Sequence, residues 1–496
     1  MAKKLAAVVL ALLALLAAAL AVNTLRKAST QIAVQPLAPL AIDAAAAAQH
    51  LAGAIRFRTI SYDDRPDAPA DELRKLQRYL EATYPRVHAA LERERVGLSL
   101  LCTWKGSDPA AAPILLMAHQ DVVPIAPGTE KDWLAEPFAG TVRDGFVWGR
   151  GAWDDKGNLI ALLEAAELLA RDGFKPRRTI YFAFGHDEEI GGENGAKRIA
   201  ELLASRGVKL DFVLDEGLLI TDGILRGLDQ RAALIGVAEK GYLNVALSAD
   251  GAPGHSSMPA PRSAIGTLAG ALARLERDPM PAAMRGVAAQ TLETLAPEMH
   301  GVNRVVLSNL WLFAPLVAAQ FEKSASTNAM LRTTTALTVF NAGNKENVLP
   351  GRAQAIVNFR LLPGDNAESV LAHVRKTIGD DAVKIARADA YSPPSRISPT
   401  DSEAYRELAR TVREVFPGTL VAPGLMLGAT DSRYMAGLSD NIFRFSPVIA
   451  HAEDLARFHG TNERISVENF ARMIAFYHRL LATSAGAPIQ GRSPNS

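Results

Sequence analysis

Two histidines and four acids, widely spaced along the chain, are of the types that hold divalent cations: His119, Asp154, the pair Glu188-Glu189, Asp215 and His459. Imidazole nitrogens among oxygen ligands suit zinc best, with manganese or cobalt able to take the same geometry. In Met117-Ala118-His119-Gln120-Asp121 the residues two apart share one face of an extended chain. Asp121 is therefore expected to take the His119 ring N–H and fix its tautomer, although a His-x-Asp step alone also describes a solvated loop pair. Asp154 lies in Gly149-Arg150-Gly151-Ala152-Trp153-Asp154-Asp155-Lys156-Gly157, where glycines permit tight turns and two acids precede a helix start. One short carboxylate using both oxygens holds two cations about 3.5–4 Å apart, the spacing of two-metal hydrolytic sites. In isolation the same acid is an ordinary helix cap. Glu188 and Glu189 are adjacent, so their side chains diverge. Glu189 is assigned as a ligand, and Glu188 as the general base that takes a proton from water and returns it to a leaving nitrogen. Asp215 supplies a carboxylate on the His119 side, with Glu216 its rival, and His459 completes the second cation. His186 and Asp187, in the same turn as the glutamates, are read as structural.

These residues need elements that bring them together. The apolar run 114–118 ends in His119, the run 180–184 leads into Gly185-His186-Asp187-Glu188-Glu189, and 212–214 ends in Asp215. Short continuous apolar runs are strands buried on both faces. Between the first two lies a helical stripe of Leu159, Leu162, Leu163, Ala166 and Leu169, stopped by Gly173. Strand-helix-strand alternation predicts an α/β fold with a mostly parallel sheet, where ligands gather beyond the carboxyl ends of the strands. From 42 to 85 the spacing of apolar residues is helical. Beyond Lys240-Gly241 the texture becomes half-buried alternation over 242–247, then a helix at 264–275, strands at 335–340 and 353–361, a helix after Pro363-Gly364, and a strand near 382–386. Two split β-α-β units in one four-stranded sheet, an α+β ferredoxin-like lid, fit that order.

The division that follows is 1–27 as signal peptide or signal anchor, 42–240 and 391–484 as two parts of a catalytic domain, and 485–496 as a tail. Residues 241–390 form a lid or dimerisation domain with an insertion at about 279–331. A chain of 496 residues exceeds what one core usually serves, and 48% hydrophobic residues can fill two. A formal net charge of +1 gives no electrostatic reason for nucleic acid as a partner. The single cysteine, Cys102, excludes an internal disulfide framework and a Cys-based zinc site, and reads as a small buried hydrophobe. Lys3 and Lys4 precede an apolar run from Leu5 to Val22, followed by Arg26 and Lys27. Such a run is an export signal, placing the remainder outside the cytoplasm. Ala19-Leu20-Ala21 offers a signal-peptidase pattern and the run is long enough for an anchor, so both outcomes stay open.

The segments Ala118-His119-Gln120-Asp121-Val122-Val123-Pro124, Gly149 to Gly157, Asp187-Glu188-Glu189-Ile190-Gly191-Gly192 and Gly254-His255-Ser256-Ser257, in this order, resemble the co-catalytic di-zinc aminoacylases and carboxypeptidases. Length, the apolar N-terminus and the insertion bring the chain nearest the carboxypeptidase S and secreted N-acyl amino acid synthase/hydrolase groups. The resemblance implies two zinc ions, one on His119, Asp154 and Asp215, the other on Asp154, Glu189 and His459, with Glu188 as base. It implies that His255, often reaching the site of a partner subunit, polarises the scissile carbonyl. It further implies that Asn347 assists the oxyanion and that Arg360 grips a free substrate carboxylate. The turn Gly428-Ala429-Thr430-Asp431-Ser432-Arg433 resembles a substrate-side turn, with Thr430 and Arg433 as contacts, or an Asp431–Arg433 structural pair. The insertion's apolar residues from Val305 to Phe321 fit a pocket for an acyl chain, a core helix, or a lid contact. The function so implied is hydrolysis of an amide bond in a short peptide or N-acyl amino acid with a free carboxylate. The N-fatty-acyl amino acid synthase/hydrolase is the alternative substrate reading, and an exported non-catalytic binding protein is the rival from another class. A homodimer through the lid accompanies the resemblance.

Overall fold

The structure, a computed structural model, describes residues 1–225 and 227–486; most of the segment 485–496 lies outside the described residues. An eight-stranded sheet carries the catalytic half. Its strands run, in spatial order, Glu92–Val96, Ser99–Trp104, Ile180–Gly185, Ile114–His119, Phe212–Thr221, Ile442–Ala450, Ala232–Glu239 and Leu420–Met426. The three strands that lead to the candidate acids and His119 are mutually parallel, with Ile114 level with both Ile180 and Phe212. Every residue of Ile114–His119 is buried, as its unbroken apolar sequence requires of a strand covered on both faces.

One face is covered by the helices Ala44–Ile55, Lys156–Arg171, Glu403–Val415 and Val467–Ala485, which share a core with Leu116, Phe182, Leu214 and Phe443. The other face packs Ala196–Ser205 and the turn Asp431–Gly437 on Leu115, Met117 and Val213. The helix after the Asp154 loop ends at Arg171, and Gly173 adopts φ +74°, the left-handed conformation that glycine tolerates without penalty. The helical stretch expected over 42–85 is instead three helices, Ala44–Ile55, Ala70–Thr83 and Pro85–Ala90. The loop between the first two runs beside the His119 strand, with Ile60 bridging Val122.

The second core belongs to a four-stranded antiparallel sheet ordered Thr334–Ala342, Arg352–Leu361, Gly241–Asp250 and Val383–Ser392. The helices Ala264–Arg277 and Ala367–Ile378 cover one face through Leu268, Leu272, Val370 and Val374. The order and the two helices are those of the expected ferredoxin-like lid. The insertion, however, leaves the lid. Its helix Gly286–Leu295 lies on the edge strand Leu420–Met426 of the catalytic sheet, and Leu292, Leu307 and Val317 share a small core with Ala232, Leu420 and Ala422. Its buried apolar residues thus cap a sheet edge of the catalytic half.

Candidate active site

The sheet's parallel strands deliver the acids and one imidazole to a common end, and the C-terminal segment delivers the other. Asp154 sits between them, with His119 Nε2 2.9 Å from Oδ1 and His459 Nε2 2.7 Å from Oδ2. Glu189 Oε2 lies 3.3 Å from the same His459 nitrogen. Ligand atoms of His119, Asp154 and Glu189 all fall within 4.8 Å of one another. Three residues that are far apart in sequence, His119, Glu189 and His459, therefore converge around the short carboxylate of Asp154. Burial raises the Asp154 carboxyl, but hydrogen bonds from both imidazoles outweigh it and hold the group well below the usual range. His459 is pushed up to about 10, chiefly by its bonds to Asp154 and then Glu189.

Asp121 is fully buried beneath His119, and its carboxylate and backbone carbonyl both face the ring. The ring Nδ1 of His119 lies 3.0 Å from the Asp121 backbone carbonyl and 3.4 Å from its carboxylate. That carboxylate accepts the Ser61 hydroxyl at 2.7 Å and the backbone N–H groups of Glu188 and Glu189 at 3.3 and 3.2 Å. The carbonyl is the nearer orienter of His119, and the side chain clamps the turn carrying both glutamates. Glu188 accepts no side-chain hydrogen bond among the described residues, and burial, aided by the carboxylates of Asp431, Glu189 and Glu216 against the opposing charge of His119, raises its carboxyl well above the ordinary range. Burial and Asp154 push Glu189 up to about 7.

Asp215 is engaged at both oxygens, by the backbone N–H groups of Glu216 at 3.0 Å and Ser432 at 2.7 Å. Its rival Glu216 has no hydrogen-bond partner for its carboxyl among the described residues. After burial, Asp154 is the strongest influence raising it. Both carboxyls feel the charge of His119, and Asp215 in addition ties the strand to the 430–433 turn.

Several holders of this arrangement escaped the sequence reading. Glu463, completely buried, accepts the N–H groups of Gly151, Trp153 and Asp154 at 3.0, 2.9 and 3.1 Å. It also pairs with Arg150 at 2.6 Å. The other Arg150 amine donates to the carbonyls of His459 and Gly460 at 3.2 and 3.1 Å. His459 itself takes φ +56°, unusual for a residue with a side chain, and stacks on Phe458 at 4.7 Å. The Arg150–Glu463 pair therefore fastens the Asp154 loop to the His459 loop. Asp155, next to the bridging acid, accepts the His119 N–H at 3.1 Å and is bonded by Asn158.

The 428–433 turn lies behind this cluster. A Cβ on Gly185 or Gly192 would come within 2.5 or 2.0 Å of the Asp431 carboxylate, so that acid is packed against two glycines of the glutamate turn. No Asp431–Arg433 ion pair forms among the described residues; Arg433 donates to the Gly191 carbonyl at 2.7 Å. Thr430 is fully buried and bonds Glu239 at 3.0 Å and Ser432 at 2.7 Å. The Thr430 hydroxyl, expected to touch substrate, is engaged by a buried network that continues through Glu239 to Arg444.

On the lid, Gly254–His255 pairs with Val348–Leu349, and Ser256 donates to the Asn347 carbonyl at 3.1 Å. His255 and Asn347 are thus neighbours, and His255 bonds Ser257 rather than any member of the cluster. Arg360 projects over Tyr242 at 4.8 Å and has no carboxylate partner among the described residues. Arg433 and Lys240 act on it electrostatically, and burial followed by Arg360 pushes Lys240 down to about 7.

The donor chemistry fits divalent cations. Glu188, Glu189, Asp215, Glu216 and Asp431 are each raised by burial, and all but Asp215 also by one another or by Asp154. Glu189 Oε1 and Asp431 Oδ1 are buried without a hydrogen-bond partner. So many carboxyls out of water need positive charge nearby, which two imidazoles supply only in part.

The sequence model of the peptidase family M20/M25/M40 matches residues 115–483. The N-fatty-acyl-amino acid synthase/hydrolase PM20D1 of Xenopus tropicalis is 43% identical over 88% of this chain and 85% of its own length. A probable carboxypeptidase S-like protein 2 of Dictyostelium discoideum is 40% identical over 93% of this chain and 91% of its own. Among solved structures, the M20 family metallo-carboxypeptidase Sso-CP2 from Sulfolobus solfataricus aligns over 88% of this chain and 98% of its own. Its TM-score is 0.64 at 19% identity, a likeness of fold. Matched across both parts of the sheet and the intervening lid, this chain belongs to peptidase family M20/M25/M40 and is a hydrolase of that family.

Proposed function

We propose that the protein hydrolyses the amide bond of N-acyl amino acids, and of short peptides, that carry a free carboxylate. The observation that carries the reading is Asp154 offering one oxygen to each of two imidazoles from opposite ends of the catalytic half. His119, Asp154 and a carboxyl of the Asp215-Glu216 pair would hold one divalent cation, and Asp154, Glu189 and His459 a second, zinc being the metal best suited to the set. Such cations polarise the scissile carbonyl and make water a nucleophile near neutral pH. Glu188, unpartnered beside the cluster, takes the proton from the attacking water and hands it to the leaving nitrogen. Arg360, free of any carboxylate partner and backed by Arg433, grips the substrate carboxylate. His255 and Asn347, side by side on the lid, hydrogen-bond the carbonyl oxygen as it gains charge.

Support for acyl over peptide substrates comes from the 43% identity to a protein named as an N-fatty-acyl-amino acid synthase/hydrolase. Support for a homodimer through the lid comes from the edge strand Thr334–Ala342, which leaves Leu337, Val339 and Phe340 exposed along an unpaired side. The test is Glu188→Gln, assayed on N-acyl amino acids of increasing chain length and on dipeptides with metal content measured in parallel. The expected result is two metals per chain, with turnover lowered at least ~100-fold. Retained turnover, or turnover indifferent to chelation in the parent, would overturn the assignment.

A further inference from the structure

The helix Ala2–Arg26 is long enough, and apolar enough with a mean hydropathy of 3.0, to cross a bilayer, and none of its most apolar stretch is buried in the protein. Its last turn, by contrast, is built into the fold. Asn23 Nδ2 donates to the Ser308 carbonyl at 2.7 Å and to Asn309 Oδ1 at 2.9 Å. Asn309 Nδ2 in turn donates to Thr24 Oγ1 at 3.0 Å, to the Leu20 carbonyl at 3.3 Å and to the Val305 carbonyl at 2.8 Å. Asn309 is completely buried and stands at the corner between the helices Gly301–Ser308 and Leu310–Phe321, which turn by 115°. The second of these has the sequence LWLFAPLVAAQF, without one charged residue, yet only Val317 of it is buried. Trp311 is 65% exposed and Leu316 64%, while Val302 on the first helix is 76% exposed. A charge-free helix left in water is an anomaly, and its position against the last turn of a spanning helix explains it.

We propose that Leu310–Phe321 lies in the surface of the same phospholipid bilayer that the N-terminal helix crosses, so that the chain holds the membrane at two joined points. Twelve residues reach about 18 Å, too short to cross a core of about 30 Å, so the helix lies flat. Trp311, whose indole nitrogen donates to Asn309 at 3.2 Å, has the apolar body and polar tip that suit the headgroup boundary. Arg26, Lys27 and Arg304 border the corner and match phosphate headgroups. A leader cut after Ala21 would remove the spanning helix and the Leu20 carbonyl from the knot, so the proposal requires that the N-terminal helix stay attached in the working protein. The inference is independent of the hydrolytic reading.

The full chain, reconstituted into phosphatidylcholine/phosphatidylglycerol vesicles, tests this with an environment-sensitive dye on Leu316→Cys or, as a control, on exposed Ser205→Cys; Cys102 is buried. Dye at Leu316 should be blue-shifted and quenched by brominated acyl chains, and dye at Ser205 neither. Adding Asn309→Ala should weaken the Leu316 signal while the protein still floats with the vesicles. A water-like, unquenched dye at Leu316 overturns the proposal. So does shielding in lipid-free detergent that grows with protein concentration, which assigns the face to a second copy. A membrane-fraction protein whose N-terminus is Val22 overturns it as well.

Discussion

Glu463→Gln isolates the fastening of the two halves of the site. The amide keeps an oxygen that can accept the N–H groups of Gly151, Trp153 and Asp154, but it removes the negative charge facing Arg150. Arg150 is 1% exposed, so its guanidinium is left charged and out of water. Breaking a buried pair by removing one partner costs about 3–5 kcal/mol. At about 2.1 cal/mol/K per residue over a catalytic domain of roughly 300 residues, that lowers Tm by about 5–8 °C. The functional cost falls on the His459 side, because Arg150 also fixes the carbonyls of His459 and Gly460. Loss of such support weakens metal affinity about 10–100-fold, so the variant should lose one of its two metals on dialysis and retain the other. Differential scanning calorimetry and metal analysis read both effects. The double variant Glu463→Gln/Arg150→Met should recover part of the lost Tm, since no uncompensated charge remains. A single variant that melts within 1 °C of the parent and keeps both metals, or a double that melts lower than the single, would refute the reasoning.

Arg360→Met should lower kcat/KM about 10–100-fold for carboxylate substrates, from a charged hydrogen bond worth about 1.5–3 kcal/mol, and change little for their carboxamide counterparts. Equal loss on both would remove Arg360 from carboxylate recognition. His50, 2.5 Å from Glu164, has its pKa raised above the ordinary 6.5, first by that hydrogen bond. A raised folded-state pKa stabilises fully below about 6.5 and is lost as pH climbs through the folded value. Glu164→Gln should therefore cost stability at pH 5.5–6.5 and progressively less above it. With the His50 side chain 36% exposed, screening limits this to about 1 kcal/mol or less in urea melts, and a gap that widens with pH would contradict it.

The strands and the motif turns were readable because unbroken apolar runs, ended by glycines and acids, demand burial and then a turn. His119, Asp154 and Glu189 announced themselves by type and neighbourhood, His459 gained standing only through the family resemblance, and the fold brings all of them together. Their holders gave no such signal. Ser61 sits in a loop that helical spacing on either side disguised, and it reaches Asp121 only through the bridge at Ile60. Glu463 looked like one more acid in a polar segment, since its partners in the Asp154 loop are joined to it by folding and not by spacing. Thr430 was drawn to the substrate by its motif, while its hydroxyl is spent on Glu239. The insertion's apolar residues fit a pocket, a core or a lid equally well, because hydrophobicity names no partner; the sheet edge at Leu420 and Ala422 supplied it.

Asp154 meets His459 only after a loop on the order of 300 residues has closed, a contact of the kind that forms late in folding. An emerging chain therefore carries His119, Asp154, Glu188, Glu189 and Asp215 well before it carries His459 and the Glu463 that pairs with Arg150. On the proposed function, a nascent or C-terminally truncated chain that lacks His459 is expected to hydrolyse nothing. Activity is then expected only once the final segment, Arg464–Ser466 with the helix behind it, has paired with Phe146–Trp148.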